Sequence, residues 1–256
     1  MMSISRLLLA FISSLSMLQP LVAQKIEVER LPDMNIPRAG HSVFFVNGEL
    51  VVAGGHTNGF VPTQTAEYYA DGKWHTMQMT YPHDFGLSVV LKSGKVLLAG
   101  GCEQLTGIGQ TYSAEIYDPQ THTFRGFGNM YQKRVLSSAL ELDNGQVVIA
   151  GNWYNDDCIE LFQEAQSLKG DYYGKQSFTF IKEVIAQRSV PYIFRIADDD
   201  ALILGSISTT GDTIRQAVAD RLRGDTVHIP LLETWHPLSM SHHDEVSFIG
   251  DETKND

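Results

Sequence analysis

Gly48-Glu49-Leu50-Val51-Val52-Ala53-Gly54-Gly55 recurs as Gly94-Lys95-Val96-Leu97-Leu98-Ala99-Gly100-Gly101, as Gly145-Gln146-Val147-Val148-Ile149-Ala150-Gly151 and, in its weakest form, as Asp200-Ala201-Leu202-Ile203-Leu204-Gly205. Sixteen residues before Gly54, Gly100, Ala150 and Leu204 stand Arg38, Asp84, Arg134 and Arg188, giving periods of 46, 50 and 54 residues. A drifting period of this size marks stacked structural repeats.

The order inside each period identifies the unit. An apolar segment (43–46, 88–91, 139–142 and 193–196) leads through Asn47-Gly48, Ser93-Gly94, Asn144-Gly145 or an Asp-Asp turn into the glycine-ended run, which is a hairpin pattern. Downstream comes an acidic-aromatic segment, Ala66-Glu67-Tyr68-Tyr69, Ala114-Glu115-Ile116-Tyr117 or Ile159-Glu160-Leu161-Phe162, followed by a segment around Trp74, Phe124 or Phe178. Four short antiparallel strands per repeat predict an all-β propeller.

The chain resembles the kelch repeat family. The resemblance rests on Arg38, His41 and Ser42, the double glycines, the Ala-Glu-x-Tyr strand, the Asp118-Pro119-Gln120-Thr121 turn and the closing Trp74 or Phe124. It is most specific over residues 37–130; the third repeat keeps Arg134 and Gly151, and the fourth little beyond Arg188 and Gly205. The expected layout is a kelch-type β-propeller over residues 24–256, with repeats near 37–80, 81–130, 131–186 and 187–238. Residues 25–35 hold the place of an outer fourth strand that closes the last blade, and residues 245–250 read as the start of a fifth. Such a ring looks incomplete. Truncation is the first reading, with a tightly closed five-bladed ring or completion by another subunit as alternatives.

Residues 1–23 read as a signal peptide, with Arg6 before an apolar stretch too short to span a bilayer and Leu21-Val22-Ala23 ahead of Gln24. The mature chain is then secreted or periplasmic, without membrane insertion. The net charge of −11 argues against nucleic acid and anionic membrane surfaces as partners. Cys102 and Cys158 could form a disulfide or remain two buried thiols. Residues 213–223 suit a short amphipathic helix or the third strand of the fourth repeat, and the repeat favours the strand.

Strand alternation brings two sets of loops to one face of each repeat, those joining fourth to first strands and those joining second to third. The candidate ligand-binding residues there are Arg38, His41, His56, Arg134, Trp153, Tyr154, Asp156 and Arg188. Aromatic rings beside carboxylates suit a sugar, whose apolar face stacks while its hydroxyls hydrogen-bond. A recurring arginine is more often an inter-blade or loop-tying donor than a ligand contact, and Trp153 equally suits packing between blades. The insertion at residues 163–175 belongs on the opposite face.

Hydrolase, zincin and phosphate-loop motifs are absent. His236, His242, His243, Asp244 and Glu245 read as a solvated polar segment, so neither a metal nor another cofactor is called for. Two functional classes remain: an exported non-enzymatic module binding a protein or glycan, and a carbohydrate-active enzyme such as the resemblance implies, a sialic acid mutarotase or a sugar oxidase.

Overall fold

The computed structural model describes residues 28–153, 157–164, 178–184, 190–208, 214–223 and 226–228. Every regular element among them is a strand. The first sheet holds β1 (Ser42–Val46) and β2 (Glu49–Ala53), then a small hairpin of β3 (His56–Thr57) and β4 (Val61–Pro62), and finally β5 (Thr65–Ala70) and β6 (Lys73–Gln78). The second holds β7 (Leu87–Val90) and β8 (Val96–Ala99), a hairpin of β9 (Cys102–Leu105) and β10 (Ile108–Gln110), then β11 (Ser113–Asp118) and β12 (Thr123–Asn129). The third comprises β13 (Ser138–Glu141), β14 (Gln146–Ala150), β15 (Asp157–Gln163) and β16 (Phe178–Val184); the fourth, β17 (Tyr192–Ala197), β18 (Asp200–Ser208), β19 (Ile214–Arg223) and β20 (Thr226–His228). Each is a four-stranded antiparallel meander, with the small hairpins pairing by themselves.

The sheets pack in chain order. Phe44, Val51 and Ala53 of the first meet Val96, Leu98 and Tyr117 of the second in one apolar cluster. Leu97, Ala99 and Ile116 meet Val147, Ile149 and Phe162 in the next, and Val148 and Ile159 meet Ala201, Ile203 and Leu222 in the last. The glycine-ended strands β2, β8 and β14 therefore carry apolar residues on both faces, as sheets sandwiched between neighbours require. Their flanking strands differ: β1 alternates, with Val43 and Phe45 exposed between buried Ser42, Phe44 and Val46. The first strands neighbour one another, β1 with β7, β7 with β13 and β13 with β17, so they line the inner edge of the stack.

Backbone bonds tie the sheets together along that edge. The Phe85 amide donates to the Gly40 carbonyl (2.8 Å), Leu136 to Phe85 (3.0 Å) and Val190 to Leu136 (2.6 Å). All four residues are left-handed, with φ of 64° at Gly40, 56° at Phe85, 54° at Leu136 and 46° at Val190. A parallel set runs from Gly55 to the His83 carbonyl and from Gly101 to that of Arg134.

These bonds correct the sixteen-residue register. His83, not Asp84, is equivalent to Arg38 and Arg134, and Gly151, not Ala150, is equivalent to Gly54 and Gly100. The reason is local. Asn47-Gly48 forms a two-residue loop between paired Val46 and Glu49, whereas Leu91 bonds Lys95 and Leu142 bonds Gln146 across three-residue loops, which adds one residue.

Cys102 and Cys158 are buried and unbridged. The segment at 214–223 is the strand expected from the repeat, not a helix. Residues 28–35, the described part of the expected outer strand, are not a strand. The signal peptide, residues 165–175 of the insertion, the segment 245–250 and the histidines from His236 to His243 lie outside the described residues. No helix among the described residues is long and apolar enough to cross a membrane.

Candidate functional site

Each second-to-third loop returns beside the incoming loop of its own sheet. Ala39 and His56 exchange two backbone bonds (3.0 and 2.8 Å), the Cys102 amide bonds the Asp84 carbonyl (2.8 Å), and the Trp153 amide bonds that of Val135 (3.1 Å). His56, Cys102 and Trp153 thus occupy equivalent backbone positions in successive sheets.

The recurring basic residues lie beneath these loops. Arg38 donates through Nη1 to the Gly54 and Thr65 carbonyls (2.9 and 2.6 Å) and through Nη2 to Glu67 (3.0 Å). Arg134 does the same to the Gly151 carbonyl (2.9 Å) and Glu160 (2.9 Å), and both ion pairs are fully buried. His83 takes the role in the second sheet, with Nδ1 bonding the Gly100 carbonyl (2.6 Å) and Nε2 lying 3.3 Å from Glu115. The three glutamates also accept amides of the approaching chain: Asn35 and Ile36 at Glu67, Thr80 at Glu115, Tyr131 and Gln132 at Glu160. Arg38 and Arg134, expected as possible ligand contacts, are occupied in tying each sheet's loops together. Glu67, Glu115 and Glu160 were visible in the sequence as a recurrence, but the need for an acidic partner to each basic residue was missed.

His41 is half-buried, and burial together with the Arg38 guanidinium holds its pKa below the ordinary 6.5. Trp153 is 51% exposed at the loop surface. Tyr154, Asp156 and Arg188 lie outside the described residues.

What comes together at the surface is a set drawn from two sheets. His56 Nδ1 lies 2.8 Å from Asp84 Oδ1, and the Thr106 hydroxyl donates to Asp84 Oδ2 at 2.7 Å. Asp84 is fully buried and the His56 side chain 12% exposed. The carboxylate can only accept, so in the neutral ring the proton sits on Nδ1 and Nε2 is left as an acceptor. The His56 ring is flanked by Phe60 (centroids 5.5 Å apart) and Phe85 (5.8 Å), with Phe60 62% exposed. Gly40 makes the approach possible: a Cβ there would sit 2.5 Å from Asp84 Oδ1 and 3.2 Å from His56 Nδ1. The β9–β10 hairpin closes over the set through the bond from the Thr106 amide to the Phe60 carbonyl (3.0 Å). Of these residues only His56 was singled out from the sequence. Asp84 was assigned to the arginine position by the one-residue register error; Phe60 packs on His56 within its own hairpin, and Asp84, Phe85 and Thr106 join them through contacts between repeats.

A concavity of about 510 Å³ lies away from this set, at the outer rim between β6 and β12. Its rings engage one another, Tyr68 stacking on His75 (4.8 Å) and on His122 (4.0 Å) while His122 bonds Glu49. It clasps the outer seam between the first two sheets. No cluster of metal-ligating side chains occurs among the described residues.

No family model and no curated protein matches this sequence. The fold does match solved structures. YjhT superposes with a TM-score of 0.55 at 12% identity, over 77% of this chain and 65% of that chain. The fold is propeller-like. At that identity the likeness concerns the fold alone, and the match leaves about a third of the YjhT chain without a counterpart.

Proposed function

We propose that the chain is an exported binding module that takes a glycan on the loop face carrying Phe60, His56 and Phe85. One observation carries the reading: a buried carboxylate and a threonine hydroxyl fix an imidazole whose Nε2 can accept a hydrogen bond, directly beside an exposed aromatic ring. A sugar offers an apolar face for Phe60 and a hydroxyl donor for His56 Nε2. Trp153, exposed at the equivalent backbone position two sheets on, supplies a second stacking surface on the same loop side. The resemblance to kelch repeats is in keeping with binding through such loops, though fold alone does not assign function.

The same dyad favours a second reading. An imidazole oriented by a buried carboxylate is the arrangement of a general base, and a base taking the proton from a sugar's anomeric hydroxyl, while the bond from the anomeric carbon to the ring oxygen breaks and that oxygen takes a proton from water, would speed the exchange of its anomers. A glycan array followed by exchange spectroscopy on any ligand found separates the two. Binding with anomer exchange at the buffer rate supports the module, accelerated exchange supports the enzyme, and failure to bind any glycan removes both.

A further inference from the structure

Phe60 is exposed at the turn of the small β3–β4 hairpin, and its backbone is left-handed, with φ of 59°. A bulky side chain in that region is rare and strained. Phe85, Leu136 and Val190 share the conformation but use it to bond the preceding sheet, whereas the Phe60 amide bonds only the Thr57 carbonyl of its own hairpin (3.1 Å). Its strain therefore serves the turn that presents the ring, not the packing of sheets.

An aliphatic surface adjoins that ring. The Phe60 carbonyl accepts the Thr106 amide (3.0 Å), which fastens the β9–β10 hairpin beside β3–β4. Thr106 stands at the turn between Leu105 and Ile108, which pair directly across the two strands and so share one face of the hairpin. Leu105 is 38% exposed and Ile108 52%, and Val61, next to Phe60, is 51% exposed. Over residues 57–66 and 104–114 the sequence carries no charged side chain, although 19% of the whole chain is charged. Two of the polar groups there are engaged within the protein: the Thr106 hydroxyl donates to Asp84 (2.7 Å) and Gln110 Nε2 to the Gly107 carbonyl (3.1 Å).

A sugar by itself would leave this strip unused, since Val61, Leu105 and Ile108 offer its hydroxyls no hydrogen bond and covering hydroxyls without one is costly. We infer that the ligand is a glycan bearing an alkyl or acyl chain, with the sugar on Phe60 and His56 and the chain along Val61, Leu105 and Ile108. The inference rests on the glycan reading of this loop face and names the ligand class for it. Phe60 joins the two surfaces: its ring lies 5.5 Å from that of His56, and its carbonyl holds the hairpin that carries Leu105 and Ile108. An uncharged apolar strip gains from excluding water along a hydrocarbon chain and supplies no countercharge to an ionic partner.

The test titrates methyl and hexyl glycosides of glucose, galactose, mannose and N-acetylglucosamine into the wild type and a Leu105→Thr, Ile108→Thr double variant, followed by ligand NMR. Each fully buried methylene is worth roughly fourfold in affinity. The strip is open to solvent on one side, so the hexyl form of a sugar that binds should be tighter than its methyl form by about tenfold or more. The double variant should lose most of that difference while holding the methyl form as the wild type does, and an unchanged urea midpoint shows that it folds. Equal affinity for methyl and hexyl forms would overturn the inference and leave the glycan reading standing. A hexyl preference that survives in the double variant would overturn it too, as would hexanol binding as tightly as the hexyl glycosides. Failure of every glycoside to bind would also overturn the inference, and the glycan reading falls with it only if the glycan array is silent as well.

Discussion

Replacing Arg134 by methionine removes a cation from a site with no water to compensate. The guanidinium is fully buried and bonds the Glu160 carboxylate through Nε (3.2 Å) and Nη2 (2.9 Å) and the Gly151 carbonyl through Nη1 (2.9 Å). Methionine matches much of the stem volume but leaves a buried carboxylate held by the amides of Tyr131 (2.6 Å) and Gln132 (3.1 Å) and the weak Cys158 thiol donor (3.6 Å), without a countercharge. Breaking one side of such a pair costs about 3–5 kcal/mol, and an orphaned carbonyl adds about 1 kcal/mol. Against a total stability of about 5–15 kcal/mol, this is a large fraction of the folding free energy. Arg134→Lys restores the charge, but its single ammonium cannot span the planar set of acceptors, so it should recover only part of the loss. Converting the pair to Arg134→Met with Glu160→Leu should not restore stability either, because the Tyr131 and Gln132 amides then lose their acceptor, at about 1–3 kcal/mol each. Urea denaturation followed by fluorescence, with the slope unchanged, is the assay. An Arg134→Met chain within about 1 kcal/mol of wild type would refute the tying role and return Arg134 to the list of ligand contacts.

Three further expectations follow from the same contacts. Gly55→Ala should destabilise by at least about 1–3 kcal/mol in the same urea assay, because φ is 79° and the new Cβ would lie 2.3 Å from the Ala39 carbonyl; a melt within a few tenths of wild type would contradict it. His41 is held neutral by burial and by Arg38, so the unfolded chain binds the extra proton first, and stability should fall as pH drops below about 6.5. Comparing urea midpoints at pH 7.5 and 5.5 in wild type and His41→Gln should show a shallower loss in the variant, and equal losses would remove the contribution. Burial raises the Cys102 thiol above its ordinary pKa, so a disulfide-exchange reagent should find no fast-reacting thiol in the native chain and two after denaturation; a single slow burst or none after denaturation would point to oxidation.

The repeat was legible because its signals are local. Strand alternation and a two- or three-residue turn are set by neighbours in sequence, and the glycine-ended runs with their acidic-aromatic partners are four-stranded meanders in the structure. The equivalence of Asp84 with Arg38 failed for a local reason too: an even count cannot register that Lys92, Ser93 and Gly94 turn the second hairpin where Asn47 and Gly48 suffice in the first. The candidate site was less legible. His56 and Asp84 belong to different repeats and are 28 residues apart, so aligning repeats places them in different columns. The basic residues were legible in the opposite way: their recurrence suggested a loop-tying role, but their buried glutamate partners depend on packing depth, which periodicity does not carry.

Titration of glycans into the wild type, Phe60→Ala, His56→Gln and, as a control at the rim concavity, His122→Ala, at matched stability, tests the central claim that the loop face binds a sugar. Each lost contact of about 1.4 kcal/mol weakens binding tenfold, so the account expects Phe60→Ala and His56→Gln to lose roughly tenfold or more while His122→Ala binds as wild type. Full affinity in both loop variants, with binding lost in His122→Ala, would put the ligand at the outer rim and contradict it.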